Sequence, residues 1–389
     1  MKKIIKVLVA MCMLFSVCLL PIQAESVKIT GVDLAGSAKA AYLIENTTGK
    51  VIFAKNEKEK LYPASMTKMM GLLLIYEALN HQKISWKDDV TTSEYAASMG
   101  GSQVFLEVHE TMSVKDMVKS ICIASANDAM VAMAEKIGGT NDNFVKMMNA
   151  KAEELGLINT HFVNATGLHD PDHYTCAKDM GVLAQALIKE GGDEMLAITS
   201  TYDAYIRENS DNKFWLVNTN KLLKQYEGVD GLKTGFTSEA LSCITVSAKR
   251  QDLRLIAVVM GAPSSKERNA IAKQMLDYGF SQYAQGLLYK KGSKLDEITF
   301  ENGKPGKANI VALEDVSYVF EKGKEPKEKN KKIVITKRSL PYVKDKKIGY
   351  VRVEMSDGYY MEVPIGVHKT IEPLDYMDIF MKTFKDVFA

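Results

Sequence analysis

Cysteine is scarce in this sequence, with five in 389 residues, and two of these, Cys12 and Cys18, fall within the first 24. The other three, Cys122, Cys176 and Cys243, are an odd set with no paired short spacing. That speaks against both a disulfide framework and a zinc site, and they read as buried apolar fillers. An excess of charge of either sign is also missing: 50 basic residues face 48 acidic ones. Without a strong global field, nucleic acid is a poor partner. The composition, 46% hydrophobic and 25% charged, is that of a soluble globular protein and disfavours a disordered, collagen-like or polytopic membrane chain. At this length two domains are expected, with a sizeable buried core.

The first 24 residues stand outside the fold. Lys2, Lys3 and Lys6 precede an uncharged run from Val7 to Leu20, and Pro21-Ile22-Gln23-Ala24 ends in the small residue a signal peptidase prefers. The expectation is export with cleavage after Ala24; an uncleaved anchor is the alternative, although the run is short for a spanning helix. Neither Cys12 nor Cys18 follows a small residue, so a lipoprotein cysteine is not expected. Loss of three lysines and no acids leaves 47 basic and 48 acidic residues. The exported chain is near neutral.

Residues 39–55 read as a hairpin around Asn46-Thr47-Thr48-Gly49. A helical pattern opens at Pro63-Ala64 and runs from Ser65 to about Leu79. Residues 112–190 are mostly helical: Ser113 with Asp116 resembles a capping box, Asn149 to Leu155 ends at Gly156, and Thr175 to Glu190 stops before Gly191-Gly192. Leu241 to Ala248 and Leu253 to Met260 are β-rich, and Ser264 to Gln285 returns to helix. The pattern predicts an α/β (α+β) domain over 25–285, with sheet strands from both ends of the segment and a helical block between them.

From 290 to 370 the runs Ile310 to Phe320, Ile333 to Thr336, Ile348 to Met355 and Tyr359 to Val367 predict a small all-β domain, with a hairpin turn at Ser356-Asp357-Gly358. Glu321 to Lys332, almost purely charged, reads as a solvated loop. Over 372–389, Leu374, Met377, Phe380, Met381, Phe384, Val387 and Phe388 recur at spacings of three and four and line one face of an amphipathic helix. Such a helix either docks on the β domain or lies in a membrane interface.

Ser65-Met66-Thr67-Lys68 places a hydroxyl and an amine one helical turn apart on one face. The amine can take the hydroxyl proton only if burial and nearby cations lower its pKa. Alone, a Ser-x-x-Lys tetrad is a common surface feature. It is followed, however, by Ser125-Ala126-Asn127 after an apolar stretch, and by Lys233-Thr234-Gly235 within Gly231-Leu232-Lys233-Thr234-Gly235-Phe236-Thr237.

In that order, after an export signal, the three motifs resemble the triplet of the penicillin-recognising serine enzymes. The fuller text resembles the D-alanyl-D-alanine carboxypeptidases, the low-molecular-mass penicillin-binding proteins. It includes Pro63 to Met70, Ile123 to Ala129, Ala152 to Leu168, Asp170-Pro171-Asp172-His173-Tyr174-Thr175 and Gly228 to Thr237. The likeness runs from about 38 to 285, and the β domain and amphipathic tail repeat the family's layout.

The resemblance implies a β-lactamase/transpeptidase-like domain with an antiparallel sheet, and an enzyme that removes the terminal D-alanine from peptidoglycan stem pentapeptides through a serine acyl-enzyme. β-Lactams would be covalent inhibitors, and no cofactor or metal would take part. Ser65 would attack, Lys68 would take and return its proton, and Ser125 would pass a proton to the leaving amine. Asn127 would hold the substrate amide and the Lys68 head. Lys233 and Thr234 would hold the substrate carboxylate, and Gly235 would leave room for substrate backbone along the strand edge. Thr237 closes this substrate-binding stretch. The N–H groups of Ser65 and Phe236 would form the oxyanion hole. Arg268 matches a family arginine near the same strand, where it either helps hold the carboxylate or is a helix-surface arginine.

The chain departs from the family at Leu241, where glycine is usual, and at Phe236, where some relatives carry a polar side chain. The histidines His161, His169 and His173 read as a solvated, turn-rich loop and not as a metal or triad site. No glutamate lies between Leu155 and Lys189, which argues against the rapid deacylation of a β-lactamase. An endopeptidase would use the same residues, and an idle wall-binding protein would not need all of them.

Overall fold

The computed structural model describes residues 32–208, 211–337 and 339–388. The expected leader, 1–24, lies outside the described residues.

Five strands form an antiparallel sheet: β1 (Ala40–Glu45), β2 (Val51–Lys55), β3 (Val229–Thr237), β4 (Leu241–Arg250) and β5 (Leu253–Ala262), in the order β2-β1-β5-β4-β3. The two ends of the segment meet where Ala40↔Met260 and Leu43↔Ala257 pair β1 with β5. Alternation explains the apolar run Leu255–Met260 within β5. Ile256, Val258 and Met260 face one buried cluster with the long helix Ala177–Thr199, while Leu255, Ala257 and Val259 face a second with the helix Ser265–Gln282. A strand covered on both faces needs apolar residues at every position.

Several helix boundaries follow their caps. Ser113 Oγ accepts from Asp116 N at 3.1 Å and Ser264 Oγ from Glu267 N at 3.2 Å, each opening a helix. The Gly191-Gly192 pair does not end its helix as expected. The chain kinks at Gly192 (φ 54°, ψ −151°) and continues helical to Thr199. Burial of Met195 and Leu196 against the core outweighs the local break.

Beyond residue 283 a second five-stranded sheet, built from 294–299, 307–312, 328–335, 349–355 and 360–367, encloses its own core around Ile310, Val351, Val353 and Ile365. The charged stretch expected as a loop is half strand, because Glu328–Ile335 pairs with Gly349–Met355 at the sheet edge. Backbone pairing needs no apolar side chains there, and lysines at an edge discourage further strand addition. The last helix, Tyr376–Phe388, leaves Met377, Phe380, Met381 and Phe384 exposed. It touches the β domain through polar contacts, Lys304 Nζ to Asp378 Oδ1 at 2.7 Å and Lys382 Nζ to the Glu301 carbonyl at 2.8 Å.

Candidate active site

The first motif begins in a tight turn. Ala64–Thr67 is a 3-10 turn, and the α-helix α1 (Lys68–Asn80) starts only at Lys68. Ala64 stands at φ +47°, a left-handed conformation that costs a non-glycine residue roughly 1–2 kcal/mol. The strain falls directly before Ser65. One turn on, Lys68 Nζ lies 2.9 Å from Ser65 Oγ and 2.8 Å from the Thr166 carbonyl.

Lys68 is completely buried. Burial, with repulsion from Lys233, holds its amine well below the ordinary lysine range, against the pull of Asp128. A lowered pKa makes the neutral amine, which has a lone pair, easier to reach 2.9 Å from Ser65 Oγ.

The carbonyl that holds Lys68 belongs to a loop organised by one asparagine. Asn164 Oδ1 accepts from Gly167 N at 2.7 Å and from both Thr166 N and Thr166 Oγ1 at 3.1 Å. Gly167, at φ +85°, presses on the 64–67 turn: a Cβ there would lie 1.9 Å from the Ala64 carbonyl oxygen. Only glycine fits that approach.

Ser125 ends a π-helical turn, Ser120–Ala124, and is itself left-handed at φ 62°. Such turns often re-aim side chains at functional sites. Asn127 then opens the helix Asn127–Gly138. Its Nδ2 donates to the Gly100 carbonyl at 2.6 Å, while its buried Oδ1 has no hydrogen-bond partner. The expected contact with the Lys68 head is therefore made by the Thr166 carbonyl, and the asparagine oxygen stays available as an acceptor. Asp128, which sequence reasoning passed over, accepts from the N–H groups of Val104 and Leu106 at 3.0 and 3.1 Å and fastens the 102–106 segment over this motif.

The third motif lies on β3, an edge strand. Lys233 is buried, donates to the Thr234 carbonyl at 3.1 Å, and is pulled down to about 7 by burial, with Arg268 adding to the effect. Thr234 Oγ1 donates to Thr219 Oγ1 at 2.7 Å. Gly235 serves the protein more than the groove: a Cβ there would meet the Pro63 carbonyl at 2.7 Å and Ser65 N at 3.2 Å. Its smallness lets β3 press against the 64–67 turn that carries Ser65. The Phe236 side chain is exposed, and Thr237 Oγ1 accepts from Ala240 N at 3.0 Å across the β3–β4 turn. Leu241 next to that turn adopts φ +60°, the conformation glycine would take without strain.

Arg268 is 5% exposed, so it is not a helix-surface arginine. Its guanidinium donates to Asn269 Oδ1 at 2.8 and 3.1 Å and reaches the Cys243 carbonyl at 3.4 Å. Ser65, Ser125, Thr234, Gly235, Phe236 and Arg268 share one cavity of about 370 Å³, to which Ser102, Thr219, Lys221, Ser265 and Asn269 also contribute. Lys68, Asn127 and Lys233 are buried. A larger hollow of about 750 Å³ around Phe105, Glu110 and Phe214 contains no motif residue. Among the described residues no cluster of His, Cys, Asp and Glu could hold a metal, and the three described cysteines are buried and free. His173 departs from the solvated reading: it is buried, and its Nε2 lies 2.7 Å from Thr67 Oγ1.

A serine hydroxyl 2.9 Å from a buried amine of lowered pKa, in a cavity lined by hydroxyls and cationic side chains, is the equipment of a serine acyl-transfer enzyme. Residues 27–264 match the family described as D-alanyl-D-alanine carboxypeptidase, and residues 283–373 match the penicillin-binding protein 5 C-terminal domain. The chain belongs to the D-alanyl-D-alanine carboxypeptidase family and is a serine peptidase of it. It is 46% identical over 355 residues to the D-alanyl-D-alanine carboxypeptidase DacF of Bacillus subtilis, covering 91% of both chains. Penicillin-binding protein 5 from Haemophilus influenzae superposes with a TM-score of 0.72 at 31% identity, over 88% of this chain and 99% of that one. Penicillin-binding protein D2 from Listeria monocytogenes, in its ampicillin-bound form, gives a TM-score of 0.56 at 30% identity over 63% and 98%.

Proposed function

We propose that Ser65 is the nucleophile that removes the terminal D-alanine from peptidoglycan stem pentapeptides. Ser65 Oγ adds to the carbonyl of the D-alanyl-D-alanine bond while its proton passes to Lys68 Nζ. The C–N bond then breaks, the leaving D-alanine amine takes a proton through Ser125, and the acyl group stays on Ser65. Water hydrolyses that ester and restores the hydroxyl. The N–H groups of Ser65 and Phe236 stabilise the developing oxyanion, each worth about 3 kcal/mol in sites of this kind. Asn127 Oδ1 accepts the substrate amide N–H. Lys233, Thr234 and Arg268 meet the free carboxylate, with Thr237 and Gly235 shaping the strand along which the peptide lies.

The observation that carries this reading is the 2.9 Å contact between Ser65 Oγ and the buried Lys68 amine. D-Alanine release from a soluble pentapeptide tests it: release by the native chain and none by Ser65→Ala is expected, and undiminished release by the variant contradicts it. β-Lactams, which mimic the D-alanyl-D-alanine end, acylate the same hydroxyl.

The protein acts outside the cytoplasmic membrane, exported by residues 1–24, and its terminal helix rests in the membrane interface. Supporting the second point, Tyr376, Met377, Ile379, Phe380, Met381 and Phe384 are all exposed on one short helix. Among the described residues no helix is long and apolar enough to cross a membrane. Deleting residues 372–389 should release the protein from membranes and leave hydrolysis of soluble peptide unchanged. Retention after the deletion would assign attachment to another segment.

A further inference from the structure

His173 is buried and takes no part in the chemistry described above. Three segments meet at its ring: the nucleophile turn, the 161–168 loop that holds Lys68 through the Thr166 carbonyl, and the turn Asp170–His173, closed by His173 N to the Asp170 carbonyl at 3.0 Å. Val163 N donates to His173 Nδ1 at 3.2 Å. That nitrogen is therefore unprotonated, and the ring proton sits on Nε2, which donates to Thr67 Oγ1 at 2.7 Å. Phe162 packs edge-on against the ring, with centroids 5.6 Å apart.

We propose that His173 is a positioning residue for the acylation step: its neutral ring clamps the nucleophile turn at Thr67 to the loop whose Thr166 carbonyl orients the Lys68 amine. Thr67 lies between the nucleophile and the residue next to it in the sequence, Lys68, and so a shift of this turn moves both reacting groups. Apart from the Val163 N–H, the loop's backbone is fastened without the ring. Leu61 and Thr175 exchange N–H···O bonds at 2.7 and 2.9 Å, and His161 and Tyr174 do the same at 2.9 and 3.1 Å. The ring's bond to Thr67 is thus an addition to a loop already fastened at both ends. Burial pushes the imidazole down to about 4, against the attraction of Asp170 and with the repulsion of His161 and His169, which keeps it neutral at working pH.

The inference rests on Ser65 and Lys68 acting as proposed. The experiment measures acylation by a fluorescent penicillin, separating non-covalent affinity from the acylation rate, in the native chain and in His173→Phe, His173→Gln and Thr67→Val. Phenylalanine fills the space without either polar contact, glutamine restores a donor towards Thr67, and valine removes the acceptor.

His173→Phe and Thr67→Val are each expected to lower the acylation rate about 10–100-fold with affinity little changed, the penalty of misaligned reacting groups. His173→Gln should recover most of the rate, and the Phe and Val changes combined should cost no more than either alone. A native rate in His173→Phe overturns the proposal, as does a His173→Gln variant as slow as it. If His173→Phe does not fold, Thr67→Val and His173→Gln decide by the same criteria. Failure of the native chain itself to acylate would instead remove the functional reading on which the clamp rests.

Discussion

Lys68→Ala will lower the acylation rate of Ser65 by about 10²–10⁴-fold, the usual worth of a positioned general base, and leave non-covalent penicillin affinity near native. The expectation follows from burial. A charged lysine head has no lone pair, and burial near a second lysine favours the neutral amine here. The pH dependence has a definite sign. Below the lowered Lys68 pKa the amine gains a proton, and acylation by the native chain should fall tenfold per pH unit. Lys68→Ala should lose that limb along with the rate.

Lys233 gives the opposite trend in binding. With its amine at about 7, it carries charge below that pH and loses it above. Affinity for a peptide with a free carboxylate should therefore weaken as pH rises through 7. An acylation rate flat into the acid range would contradict the role given to Lys68, and carboxylate affinity independent of pH would contradict that given to Lys233.

Gly167→Ala will damage both stability and chemistry. The new Cβ would overlap the Ala64 carbonyl oxygen, lie 2.9 Å from Thr67 Oγ1, and occupy φ +85°. Left-handed strain and overpacking together cost about 3 kcal/mol, a fall in melting temperature of roughly 6–12 °C for a domain of this size. Relief must come from moving either the nucleophile turn or the loop that presents the Thr166 carbonyl, so acylation should drop with stability. Thermal melting and acylation measured on the same preparation check both halves. A variant with native melting temperature and rate would show that the loop does not press on the turn.

The difference between what was legible in the sequence and what was not has a physical pattern. Side chains with reactive chemistry announce themselves: Ser65, Lys68, Ser125, Asn127 and Lys233 stand in short motifs. Hydrophobic periodicity likewise placed β1, β2, β4, β5 and the strands 349–355 and 360–367 to within a few residues. What stayed hidden works through backbone atoms or through burial. The Thr166 carbonyl is a main-chain group that any residue could supply, and only the Asn164 bonds and the positive φ of Gly167 make it a fixed acceptor. Gly235 reads as a strand glycine, and nothing in its neighbours reveals that the missing side chain would have struck Pro63 and Ser65.

Arg268 and His173 carry polar types that usually face water. Their burial comes from packing between segments distant in sequence, which no local pattern records. Thr219 and Asp128 lie outside the three motifs, and only the fold brings them to Thr234 and to the 102–106 segment. The strand 328–335 was masked because its stability comes from backbone pairing and its side chains are those of a solvated loop.

The most direct test is the covalent trap. After incubation with benzylpenicillin and digestion with trypsin, the peptide spanning residues 61–68 should carry the mass of one opened β-lactam, localised by fragmentation to Ser65 and not Thr67. The adduct should be absent in Ser65→Ala. A stable adduct on any other residue, or none on a folded native chain, would contradict the assignment of Ser65 as the nucleophile.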